Sequence, residues 1–356
     1  MMHSALAEKL QKTIDAVHPI SPEWLERAAL RQDQLVKPRG SLGRLEEIAN
    51  RAAALQRTDH PTARPRDILV FCADHGVCAE GVNAYPQSVT WQHMLNFLGG
   101  GAAINVLAKL ADAETQFIDV GVAHDFDEPS ALRSRKIRPG TRNFAVEPAM
   151  TRDETLRAIM VGVEMAEASL TRGRRMIGIG EMGIGNTTAA AAITAVLTHV
   201  ALETAVGPGS GLSSEGVLKK ASVIARALRL HRPDSDDALD ILDKIGGLEI
   251  AAMCGAFLAC AAGKTLAVAD GFISTTAAAL AIRLAPAAGD YIVASHLSAE
   301  IGHRALCERF ALHPLLELNL RLGEASGAAL AFPMIDAALS LYGDMKTFSE
   351  AGVSDR

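Results

Sequence analysis

The sequence predicts an α/β fold: a parallel sheet with helices on both faces. Three observations carry it. Short apolar runs rich in branched residues alternate with helical patterns. The chain between runs is long enough for a crossover helix. The polar, glycine-rich segments directly follow the runs, at the end where an open α/β sheet binds its ligands.

The elements follow in order. The first fifty residues read as helical: Ser21-Pro22 supplies an N-cap and a proline at the first helical position, with Ile20 and Leu25 placed as a hydrophobic staple. Lys37-Pro38-Arg39-Gly40-Ser41-Leu42-Gly43 interrupts the helix, and a new one starts near Arg44. Residues 58–66, with Pro61 and Pro65, read as a linker. The predicted strands are Ile68 to Phe71, Gln116 to Val120, Arg175 to Ile179 and Tyr291 to Ala294, with a weaker one at Leu266 to Ala269. Ile250 to Gly263 is apolar but too short to span a bilayer, and reads as a buried helix. The Ala-rich helix after Thr188 is expected to extend to Glu203, and the tail after Gly343 to be loosely ordered.

Composition narrows the function. With 49% hydrophobic and 21% charged residues the chain can bury a large core and is not disordered. A formal charge of −6 argues against a nucleic-acid or anionic-membrane binder, which needs a basic face. The five cysteines, Cys72, Cys78, Cys254, Cys260 and Cys307, form no C-x-x-C and read as buried thiols of a reducing compartment. The N-terminus has no apolar signal region, so a soluble, cytoplasmic protein is expected.

Gly178 to Thr188 follows a strand and opens a helix, so glycines would let a ligand approach and the helix start would offer free N–H groups to an anion. The string contains G-x-G-x-x-G, with Glu203 about twenty residues on, as in a dinucleotide fingerprint. Glu181 inside the loop would repel a pyrophosphate, and no second strand falls before Glu203, so a monophosphate held beside a carboxylate fits better. The bland alternative is a tight turn with an Asn-Thr cap. Val206 to Leu212, with Lys219 and Lys220 beyond, is a second glycine-rich loop that gains weight from pairing with the first. His296, Glu300 and His303 would share a helical face and could suggest a metal, but Ser298 lies within the span and His296 ends a strand; no metal is expected. Asp74-His75 reads as a pocket wall. Glu324, among small and apolar residues, is either a base or a helix N-terminal carboxylate.

Together these strings resemble the nicotinate-nucleotide–dimethylbenzimidazole phosphoribosyltransferases of cobalamin synthesis. The resemblance runs from Lys37-Pro38-Arg39-Gly40-Ser41-Leu42-Gly43 to Pro333. It includes Asp74-His75-Gly76 with Glu80-Gly81-Val82, Gly180 to Thr188, Asp270 to Thr275, Ser295-His296 with Ser298-Ala299-Glu300, and Arg321-Leu322-Gly323-Glu324 with Gly327 to Leu330. It implies a homodimer with a Rossmann-like large domain over 61–310 and a small helical domain from residues 1–60 and 311–356. It implies transfer of 5-phosphoribosyl from nicotinate mononucleotide to a benzimidazole, with inversion, no cofactor and no metal. Glu324 would be the general base, and Glu181 would stand near the ribose. Gly183, Gly185, Asn186, Thr187, Gly209, Lys220 and Ser298 would hold ribose and phosphate; Tyr85, Gln92, His93, Met182 and Leu322 would line the base pocket. The competing readings are an NAD-binding dehydrogenase and a nucleotide-binding regulator without turnover.

Overall fold

The computed structural model describes residues 2–127, 132–209 and 211–355. Three helices come first, α1 (Met2–Asp15), α2 (Pro22–Gln34) and α3 (Arg44–Gln56), with Pro22 in the first turn of α2. β1 (Arg66–Ala73) follows, then a 3-10 turn at Gly76–Glu80, α4 (Val89–Leu98), α5 (Ala103–Leu110), β2 (Glu114–Gly121), β3 (Leu132–Ser134), α6 (Arg152–Thr171) and β4 (Met176–Met182). Next come α7 (Asn186–Thr198), α8 (Leu202–Ala205), α9 (Ser214–His231), α10 (Ala238–Ile245), α11 (Leu248–Ala262) and β5 (Leu266–Ala269). The chain closes with α12 (Phe272–Leu284), β6 (Ile292–Ala294), α13 (Gly302–Arg309), α14 (Ser326–Asp344) and α15 (Phe348–Ala351).

Among the described residues the strands form one sheet in the order β3-β2-β1-β4-β5-β6, and every neighbouring pair is parallel. The strand order reverses between β1 and β4, a switch point of the kind near which open α/β sheets bind ligands at their carboxyl ends. Alternation along each strand builds a separate core on each face. Leu69, Phe71, Ile177 and Ile179 pack with α6, α7, α11 and α12, whereas Ile68, Val70, Val268 and Val293 pack with α3, α5 and α14. β1 is buried along its whole length, as expected of a strand covered on both sides.

Three details differ from the sequence reading. β3 was not expected: its three residues, Leu132-Arg133-Ser134, carry no strand pattern and are ordered by pairing with Phe117, Ile118 and Asp119 of β2. α7 stops at Thr198 rather than reaching Glu203, because His199 turns left-handed (φ 57°) and bonds back to Ala195 O; Glu203 lies on the separate α8. The tail past Gly343 is tied down rather than loose. Leu35 bridges Thr347, the Val36 N–H donates to Lys346 O at 3.0 Å, and Thr347 and Glu350 cap α15 reciprocally. That capping box is an S/T-x-x-E signature, Thr347 to Glu350, written in the sequence. No helix among the described residues is long and apolar enough to cross a membrane.

Candidate active site

The polar segments do meet at one edge. A cleft open to solvent is walled by the ends of β4 and β5, the start of α7 and the strand-to-helix segment before α14. Gly183, Gly185, Asn186, Thr187, Gly209, Ser298, Met182, Leu322 and Glu181 all line it.

One side is built for an anion. α7 begins at Asn186 with no side-chain cap; the Asn186 and Thr188 N–H groups donate to Gly183 O and Gly185 O, and the positive end of the helix dipole lies at the cleft. Gly185 takes φ 96°, and a Cβ there would lie 2.6 Å from Cys78 Sγ, so only glycine fits this turn. The Lys220 ammonium, buried just behind, donates to Thr187 Oγ1 at 2.9 Å and to Gly207 O at 3.4 Å. Burial pushes its pKa down to about 8, against a smaller opposing pull from Glu300. A cation held this way would gain from an anionic partner, which offsets the hydration that burial removed. Lys219, next in sequence, is exposed. Ser210 of the second loop lies outside the described residues.

The other side gathers carboxylates. Glu181 is buried, and its carboxylate accepts from Asn186 Nδ2. Burial, and then Glu249, Asp270 and Glu324, hold its pKa well above the usual carboxylate range. Asp270 is pushed to about 7 by burial, although it accepts backbone N–H bonds from Gly327 (2.7 Å), Ala325 (3.1 Å) and Ala328 (3.3 Å). Those bonds fasten the N-terminus of α14 to the end of β5.

Glu324 sits on the turn so fastened. Gly323, Glu324 and Ala325 have φ of 92°, 63° and 65°, three left-handed residues in a row, two of them not glycine. Each such non-glycine residue costs on the order of 1–3 kcal/mol unless its surroundings impose it. Here the Asp270 clamp and the 3.1 Å bond from Glu324 N–H to Glu181 O impose it. The Glu324 side chain is 3% exposed; His93 Nε2 lies 2.7 Å from Oε1, and the Ile104 N–H, in the first turn of α5, donates to Oε2 at 3.2 Å. Glu324 thus precedes α14 rather than lying in its first turn, and its carboxylate faces α4 and α5.

The remaining site residues fall in two groups. His93 joins the carboxylate cluster through Glu324, while Tyr85 (51% exposed) and Gln92 are exposed and do not line the cleft. His75 is not a wall: it is fully buried, with Nε2 2.7 Å from Glu249 Oε1. His296, Glu300 and His303 do not share a helix, and both His303 nitrogens are engaged, by the Ser298 N–H and Thr275 Oγ1. No group of three or more potential ligands able to hold a metal is found among the described residues. Sequence reasoning missed Asp270 and Glu249 as site groups; Asp270 stood in a quoted loop, but nothing local showed which helix it would clamp. The dinucleotide fingerprint also fails structurally, since Glu203 is not at the end of a strand next to β4.

A family model described as phosphoribosyltransferase matches residues 17–353. The nicotinate-nucleotide–dimethylbenzimidazole phosphoribosyltransferase of Geobacter metallireducens is 46% identical over 344 residues, 97% of this chain and 98% of its own. Its namesake from Pseudomonas aeruginosa is 47% identical over 347 residues, 98% of this chain and 99% of its own. The crystal structure of CobT from Thermus thermophilus matches with a TM-score of 0.90 at 46% identity, covering 94% of this chain and 100% of that one.

Proposed function

We propose, from the premise that this chain belongs to the nicotinate-nucleotide–dimethylbenzimidazole phosphoribosyltransferase family, that Glu324 is the general base of its reaction. The reaction moves 5-phosphoribosyl from nicotinate mononucleotide to 5,6-dimethylbenzimidazole and yields α-ribazole 5′-phosphate and nicotinate. Glu324 takes the ring N–H proton of the benzimidazole. The opposite ring nitrogen then attacks C1′ with inversion, and nicotinate leaves with the electron pair of the glycosidic bond. The observation that carries this reading is Glu324, whose backbone is held on a left-handed turn against Glu181 O at the end of β4 and whose buried carboxylate is fixed by His93 and the Ile104 N–H.

Glu181 is read as the group beside the ribose. Burial and neighbouring carboxylates disfavour its charged form, which would gain a partner when a pyridinium, and then an oxocarbenium-like carbon, arrives. Ribose and phosphate are assigned to the start of α7 with Gly183, Gly185, Asn186, Thr187, Gly209, Lys220 and Ser298. The base is assigned to Met182 and Leu322, with Tyr85, Gln92 and His93 on the α4 side. The reading extends to a homodimer, supported by the exposed apolar residues Leu95, Val106 and Leu110 on α4 and α5, and to a cytoplasmic setting, supported by five free thiols. Light scattering reads the first. The deciding assay follows free nicotinate on mixing the protein with nicotinate mononucleotide and dimethylbenzimidazole. Release that requires both substrates is expected; no release overturns the reading.

A further inference from the structure

The buried residues of α4 are Thr90, Met94 and Phe97, while Gln92 and Leu95 are exposed. Met94 and Phe97 belong to the apolar core, but Thr90, at the head of the stripe, is polar and fully buried. Its hydroxyl must therefore be satisfied inside the protein. It accepts the Ile184 N–H at 3.1 Å and donates to the Asp74 carboxylate. Burial raises the pKa of Asp74, while the Ala123 N–H and then Thr90 favour its charged form. The Ala123 N–H donates to Asp74 Oδ2 at 2.8 Å, so one hydroxyl spans Ile184 and a carboxylate fixed to the loop after β2.

Ile184 lies between Gly183 and Gly185 in the turn that opens α7, and all three line the cleft. Its carbonyl accepts from Cys78 Sγ at 3.1 Å, so both of its backbone groups are held by side chains. Among the described residues no other hydrogen bond joins α4 to this turn. Three residues further along α4, His93 places Nε2 2.7 Å from Glu324 Oε1. Residues three apart are neighbours on a helix surface. The nucleotide side of the cleft and the acceptor side are therefore linked through one hydroxyl and one turn of helix.

We propose that Thr90 couples the two sides of the cleft, so that an anion on the α7 turn tightens binding of the benzimidazole. The inference rests on the site assignments above. A turn between two glycines has backbone freedom that a bound anion removes. With the turn fixed, the Ile184 N–H holds Thr90 and the first turn of α4, and His93 stays on Glu324. α4 is then already ordered when the benzimidazole arrives, which makes its binding tighter. One neutral hydrogen bond can transmit roughly two- to tenfold. Coupling is reciprocal, so the benzimidazole tightens anion binding by the same factor. Thr90 lines neither half of the cleft, and its role is to position.

Inorganic phosphate is the probe, because it can fill the α7 turn without reaching the benzimidazole pocket. Dimethylbenzimidazole is titrated calorimetrically with and without saturating phosphate at constant ionic strength. In the wild type, phosphate should tighten its binding by roughly two- to tenfold. In Thr90→Val, which keeps the shape and loses the hydroxyl, the enhancement should vanish; in Thr90→Ser, which keeps the hydroxyl, it should persist. No enhancement in the wild type overturns the proposal. So does an undiminished enhancement in Thr90→Val, or its loss in Thr90→Ser. A threonine that only satisfied a buried N–H would, as valine, lower stability or both affinities and leave the enhancement alone. Lys220→Ala separates this coupling from the site assignment. If it leaves phosphate binding unchanged, the anion site is elsewhere and the coupling fails with it. If it weakens phosphate binding while the wild type shows no enhancement, the site stands and only the coupling falls. Should Thr90→Val not fold, Thr90→Ala carries the same measurement.

Discussion

Replacing Lys220 by methionine should make the enzyme more stable and its nucleotide binding worse. The ammonium is 1% exposed, and burial lowers its pKa from 10.5 to about 8. That fall corresponds to roughly 3 kcal/mol of penalty on the charged form in the folded protein. Methionine removes the penalty and also the bonds to Thr187 Oγ1 and Gly207 O, each worth about 1 kcal/mol, leaving a net gain on the order of 1 kcal/mol. The sign depends on pH. A folded pKa below the unfolded one gives stability that is fully present above 10.5 and lost as pH falls through about 8. The gain from Lys220→Met is therefore largest below pH 8 and shrinks between pH 8 and 10.5. Binding changes in the opposite direction: losing a charge-assisted bond to phosphate costs about 1.5–3 kcal/mol, or roughly 10- to 150-fold in Kd. Thermal unfolding of both proteins from pH 7 to 10, with calorimetric titration of nicotinate mononucleotide and of nicotinate riboside, reads both effects. The exposed Lys219, as Lys219→Ala, should be nearly silent. Equal losses of affinity for nucleotide and riboside, or a variant less stable at pH 7, would refute the reasoning.

Three further outcomes are expected. Glu324→Gln should lower kcat by roughly 10²–10⁴ with a smaller change in KM for the nucleotide, and near wild-type turnover in a folded variant would sink the base assignment. With an N-methylbenzimidazole that keeps its free nitrogen, the ratio of wild-type to Glu324→Gln rates should fall toward one, because there is no proton to take; a ratio unchanged at saturating acceptor, with binding checked by inhibition, would turn attention to Glu181. Asp270→Asn should lower kcat by loosening the turn that holds Glu324. Because burial raises the folded pKa of Asp270 to about 7, the stability this carboxyl adds is present below pH 4 and lost as pH rises through 7. The pH dependence of the wild-type-minus-variant stability difference should follow that window, and a flat difference from pH 4 to 8 would count against it.

What the sequence by itself determined is what local physics can write. Branched runs such as Ile68 to Phe71 mark strands by composition and length, the glycines of 178–185 mark a turn that a ligand can approach, and Ser21-Pro22 and Arg44 mark helix starts; all lie where they were expected. The loops that follow those strands had to share one edge once the sheet was parallel, so the site's location was legible too. The three-residue β3 was not, because only its partner strand orders it. Nor were the pairings that give the site its chemistry. Glu324 and His93 are 231 residues apart, and His75 and Glu249 174 apart, so no window of sequence contains both members of either pair. The left-handed turn at Glu324 and Ala325 runs against intrinsic preference, since both residues favour right-handed helix. It exists because Asp270, at the end of β5, binds three N–H groups of the arriving helix and holds the turn against β4. That clamp is a tertiary contact, and it decides where the carboxylate points.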